Sequence, residues 1–159
     1  RTFEKKNQLV SKPISAIVTS CMSGNQSLKE VTPGGSIALM TELDPSIVSS
    51  DKLVGCVAGL SGKLPPVWYN LILKTHLFDK VVGSEEEEKV EPVKVGEMFM
   101  LNVNSAATIG FVEELGKQQF TCRLKKPICA EPDSKVTISR RIGARFRLIG
   151  YGVIKNNSK

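Results

Sequence analysis

Hydrophobic positions along this chain recur in short bursts, mostly with a period of two, and sharp breaks separate them. Ile14–Met22 alternates, with Ile14, Ala16 and Val18 on one face and Ser15, Ile17 and Thr19 on the other; that spacing predicts a strand. Strands are also predicted at Ser36–Leu43, Leu53–Leu60, Tyr69–Phe78, Met98–Val103, from Ile109 to Glu113, and at Phe120–Leu124. Ser27–Val31 and Ile128–Ala130 read as shorter pieces, and residues 1–13 as an edge or a loop tail. Lys135–Ile154 closes the chain as two strands around a basic, glycine-containing turn. Asp44-Pro45-Ser46 predicts one helical turn, and no long stretch carries a helical period.

This pattern predicts an all-β protein. Leu64-Pro65-Pro66 fixes an extended path and reads as a domain boundary. The expected organisation is therefore two domains, 1–64 and 65–159, each a small antiparallel β-barrel, arranged in tandem. Closure into barrels removes the exposed edges of so many short strands.

Length and composition leave that picture unchanged. The 159 residues suit one ordinary domain or two small ones. The net charge of +6 permits an anionic partner such as nucleic acid without requiring one. No apolar run reaches the length of a membrane span, and the N-terminal residues lack a signal-peptide pattern. The four cysteines, Cys21, Cys56, Cys122 and Cys129, are widely spaced and read as reduced, small hydrophobic residues. A cytoplasmic protein without a membrane partner is expected.

Candidate chemistry is sparse. Gly62-Lys63 fails as a phosphate-binding loop, because Val57 stands at the first glycine position and Leu64 where Ser or Thr belongs. His76 is the sole histidine, with no nucleophile placed beside it, and Glu85–Glu88 reads as a solvated loop. No catalytic and no metal-binding residue is assigned. Two stretches invite a ligand. Thr32-Pro33-Gly34-Gly35 lets a backbone approach a phosphate or ribose closely, though it also suits a plain turn. Arg140, Arg141, Arg145 and Arg147 form a cluster open to three readings: a solvated hairpin, a salt network with Glu113, Glu114 or Glu85–Glu88, or a nucleic-acid or protein-binding surface. Trp68 and Tyr69 read as interdomain packing rather than a base-stacking platform.

Several runs, in order, resemble the gamma subunit of archaeal and eukaryotic translation initiation factor two. They are Pro33-Gly34-Gly35-Ser36-Ile37 with Thr41 and Leu43-Asp44-Pro45; Asp51-Lys52-Leu53-Val54-Gly55; Leu64-Pro65-Pro66; and Leu77-Phe78-Asp79-Lys80-Val81-Val82-Gly83. Further along come Gly96-Glu97, Met100-Leu101-Asn102-Val103, Lys126-Pro127-Ile128-Cys129-Ala130-Glu131, and Ser139-Arg140-Arg141 with Arg145 and Arg147–Gly152. Met40 and Phe146 depart from the family's common residues, a smaller side chain and a tryptophan.

The resemblance implies a fold like the second and third domains of elongation factor Tu, with the second domain's opening strands missing or altered. It implies that GTP and magnesium belong to a domain absent here, so this chain holds no cofactor. It implies that Gly34, Gly35, Ser36 and Ile37 lie near the methionylated end of initiator methionyl-tRNA. Arg140, Arg141, Arg145 and Arg147 are the implied contacts to the tRNA backbone. The implied partners are the tRNA, the alpha and beta subunits of the same factor, and the small ribosomal subunit; the Ser46–Asp51 loop is the implied alpha-subunit contact. A subunit-assembly scaffold without tRNA contact is the alternative. A related GTPase delivering elongator or selenocysteinyl-tRNA is a third, opposed by the Leu-Asp-Pro and Ser-Arg-Arg runs.

Overall fold

The computed structural model describes residues 2–5, 8–31, 35–83 and 88–156. Two compact units emerge: Pro13–Leu53, and Thr2–Lys12 together with Val54–Lys159. Residues 1–13, read as an edge or loop tail, instead supply two paired strands, β1 (Thr2–Lys5) and β2 (Gln8–Ser11), to the larger unit.

In the Pro13–Leu53 unit, β3 (Val18–Ser23) is central, flanked antiparallel by β4 (Gln26–Leu28) and β5 (Ala38–Thr41). None of its described residues is fully buried. The expected helical turn is α1 (Pro45–Val48), with Pro at its start and Asp44 as its cap. Asp44 Oδ1 accepts the Ser46 N–H at 2.7 Å. Hydrogen bonds from the Ser46 side chain and backbone hold this carboxyl below its ordinary pKa.

The larger unit contains the barrel. Its strands are β6 (Val67–Val82), β7 (Met98–Val103), β8 (Ala106–Gly116), β9 (Gln119–Cys129), β10 (Lys135–Ile142) and β11 (Arg145–Lys155). They close in the order β10-β11-β6-β9-β8-β7, all antiparallel. Alternation explains the closure. Leu71 and Leu73, Phe99, Leu101 and Val103, Phe120, Cys122 and Leu124, and Val136 and Ile138 all point inward at every second position and are buried. Burial pushes the Cys122 thiol up to about 12.

Several expectations need correction. The strand expected at Leu53–Leu60 does not form; turns and irregular backbone occupy it. Gly55 takes φ +77°, and a Cβ there would stand 3.1 Å from Ala106 Cα, so the run approaches the barrel closely at this glycine while Val54 and Leu60 stay exposed. Ile128–Ala130 is not a separate piece: β9 runs through Pro127 to Cys129. A register shift between Trp68 and Asn70 makes room for the proline. The buried Thr108 hydroxyl serves the backbone there, donating to Lys126 O at 2.8 Å and accepting from Lys126 N–H at 3.1 Å.

Candidate functional site

The β10–β11 hairpin carries the arginine cluster. Gly143, at φ +57°, occupies the first central position between Ile142 and Arg145, which register places opposite each other. That is the position where a type II′ turn calls for glycine. Pairing sets Arg140 opposite Arg147 and Arg141 opposite Phe146. Arg140, Arg145 and Arg147 therefore share one strand face by register, and Arg141 lies on the other.

Arg140 continues the inward parity of Val136 and Ile138 and ends up at the mouth of the barrel. Its Nε donates to Glu97 Oε1 at 2.6 Å and its Nη2 to Glu97 Oε2 at 3.2 Å, a bidentate pair. Nη1 donates to Glu91 O at 2.8 Å and Nη2 also to Pro92 O at 3.3 Å. The guanidinium sits 5.5 Å from the Phe99 ring centre. Only 14% of the Arg140 side chain and 22% of that of Glu97 are exposed. This arginine clamps the segment that connects β6 to β7.

The other three differ. Arg141 is exposed and touches only its own turn, Nε donating to Gly143 O at 3.3 Å. Arg145 is exposed and has no ion-pair or hydrogen-bond partner among the described residues. Arg147 is half-buried, and a Cβ on Gly83 would stand 3.1 Å from its Nη1. The salt network weighed for the cluster takes another form: Glu97 pairs with Arg140, and Glu113 pairs with Arg123 at 3.0 Å. Glu85–Glu87 lie outside the described residues.

The second stretch belongs to the Pro13–Leu53 unit. Gly34, with Thr32 and Pro33, lies outside the described residues. Gly35, Ser36 and Ile37 are exposed on the approach to β5. A Cβ on Gly35 would meet nothing within 4 Å, so open space surrounds it. Ser36 O accepts the Ser23 hydroxyl at 3.2 Å, which ties this approach to the end of β3. The Ser46–Asp51 stretch, expected as a loop, takes in the last three residues of α1 and the turn after it, with Ser50 and Asp51 at positive φ.

Nothing described resembles a nucleotide or metal site. Gly62-Lys63 leads through an extended segment into β6, not into a helix whose N-terminus could face phosphates. No group of three or more His, Cys, Asp or Glu among the described residues could hold a metal ion. Trp68 Nε1 donates to Ala130 O at 2.8 Å and its ring packs on the barrel core; Tyr69 Oη accepts the Ser11 N–H at 2.9 Å. Both serve the larger unit internally. Sequence reading missed Glu97 and Phe99 as partners of Arg140, because the carboxylate lies 43 residues away. The strand parity of Val136, Ile138 and Arg140 was the available signal.

The closed six-stranded barrel has a fold also found in a solved elongation factor. A solved structure of bacterial selenocysteine-specific elongation factor EF-Sec superposes with a TM-score of 0.61 at 20% identity, covering 87% of this chain and 20% of that one. The likeness concerns fold. Residues 69–154 match the family model described as initiation factor eIF2 gamma, C terminal, and the chain belongs to that family. Translation initiation factor 2 subunit gamma of Pyrococcus abyssi is 46% identical over 153 residues, 96% of this chain. The subunit of the same name from Methanocaldococcus jannaschii is 44% identical over 149 residues, 94% of this chain. The chain spans 37% and 36% of those two relatives' lengths.

Proposed function

We propose that this chain is part of a translation initiation factor subunit that binds initiator methionyl-tRNA under GTP control and delivers it to the small ribosomal subunit. The supporting observation is the 46% identity, over 96% of this chain, to proteins named as the gamma subunit of initiation factor 2. In this reading the protein works in the cytoplasm with the alpha and beta subunits of the same factor. The residues here position RNA and perform no chemistry; GTP control is assigned to none of them. Gly34–Ile37 receives the acceptor end, while Arg141, Arg145 and Arg147 meet phosphates. Arg140 is engaged by Glu97 and holds the hairpin to the segment between β6 and β7.

Introducing Ser36→Glu with Ile37→Glu into the complete, GTP-loaded subunit tests the reading. Both residues are exposed, so folding should survive. Placing two carboxylates beside a bound acceptor end should weaken initiator tRNA about tenfold or more. Unchanged tRNA affinity, with loss of alpha-subunit assembly instead, would favour the scaffold alternative.

A further inference from the structure

The outer face of β10, β11, β6 and β9 presents an arrangement that the proposed tRNA contacts do not use. Register stacks three outward rows across it. The first is Lys135, Val153, Lys74 and Gln119; the second Thr137, Tyr151 and His76; the third Lys155, Ile72 and Thr121. Their neighbours Val136, Ile138, Leu71, Leu73 and Ile154 all point into the core, so the outward assignment is set by the pleat. None of these outward positions bears a carboxylate. Lys74, Lys135 and Lys155 are exposed and have no ion pair among the described residues.

Aromatic rings border this cationic field at one end, beside the row that carries Lys135 and Lys74. Tyr151 and His76 lie 5.2 Å apart between ring centres, tilted by 34°. Phe78 lies 6.4 Å from Tyr151, and Lys135 Nζ sits 5.8 Å from the Tyr151 ring centre. The rings border an open groove of about 670 Å³, lined by Lys74, His76, Gln118, Tyr151 and Val153 among others. Gln118, at φ +57°, forms the rim at the tip of the β8–β9 hairpin. Its carbonyl accepts the Thr75 N–H at 2.9 Å, fixing the tip against β6 while the side chain stays exposed.

We infer that this face binds a single-stranded RNA segment, one base lying against the Tyr151–His76 pair and the phosphates that follow it meeting Lys74, Lys135 and Lys155. Cationic strands that end on an aromatic pair suit an unstacked strand, because every base offers a π-face and every nucleotide a phosphate. A duplex keeps its bases inside, and its phosphates would use only the lysines. The exposed Gln118 amide can both donate to and accept from a base edge. An acidic peptide would complement the lysines but leave the ring pair without a purpose. This inference is independent of initiator-tRNA binding.

Fluorescence anisotropy of a labelled short oligouridylate with this chain tests it. The Tyr151→Leu, His76→Leu pair should weaken binding about tenfold or more. Lys74→Gln with Lys135→Gln, which leaves the rings intact and places folding under no strain, should reduce the salt slope by roughly 1.4. An RNA hairpin of equal charge should bind the wild type more weakly. The inference fails if the lysine pair leaves both affinity and slope unchanged. It also fails if a well-folded ring variant binds like the wild type, or if the hairpin binds equally well. Displacement of the oligouridylate by polyglutamate as readily as by unlabelled RNA would overturn it in favour of an acidic protein partner. Oligouridylate binding here by a protein that ignores initiator tRNA would remove the proposed function and leave this inference standing.

Discussion

Gly150→Ala is expected to destabilise the barrel by about 3 kcal/mol or more. Gly150 pairs with Leu77 at the seam between β11 and β6. An added Cβ would press into His76 O and stand 2.9 Å from Leu77 Cα. Both are backbone atoms of a strand held on its other edge by β9. No rotamer change relieves them, so β11 must move away from β6 and the barrel must open. Gly35→Ala is the control: its Cβ enters open space, so stability should stay within roughly 0.5 kcal/mol. Urea unfolding of the two variants checks both values, and a Gly150→Ala midpoint matching the wild type would refute this view of the seam.

Arg140→Met should cost about 3 kcal/mol, whereas Arg141→Ala and Arg145→Ala should each stay within roughly 0.5 kcal/mol. Methionine retains bulk over Phe99 but leaves the Glu97 carboxylate, 22% exposed, without its cation. It also deprives Glu91 O and Pro92 O of donors. Most of the loss reflects the stranded carboxylate rather than the net worth of the pair. Replacing Glu97 by methionine as well should therefore recover part of it. Denaturant titration of the single and double variants measures the coupling. Equal losses for Arg140→Met and Arg141→Ala would contradict the division of the cluster into one supporting and three available arginines.

Much of the barrel was legible because burial and alternation coincide. Phe120, Cys122 and Leu124 repeat every second residue, as do Val136 and Ile138, and all five are buried. Leu53–Leu60 misled because its apolar residues, the exposed Val54 and Leu60 among them, sit in turns and irregular backbone instead of pairing, and the left-handed Gly55 marks the break. The split among the arginines was partly legible, since residue 140 keeps the parity of 136 and 138. Its carboxylate partner was not, because Glu97 arrives through the β10–β7 pairing. The Tyr151–His76 pair was hidden for the same reason: the two rings meet only once the β11–β6 register is known. A feature carried by a single run, such as the Asp44-capped turn at Pro45, can be read along the chain. Chemistry assembled across strands requires the register.

The most direct measurement is retention of initiator methionyl-tRNA by the complete subunit, loaded in turn with GTP and with GDP. The account predicts binding at least about tenfold tighter with GTP, a coupling of roughly 1.4 kcal/mol. It also predicts clear preference over elongator methionyl-tRNA. Absence of binding in both states, or equal capture of the elongator tRNA, would contradict it.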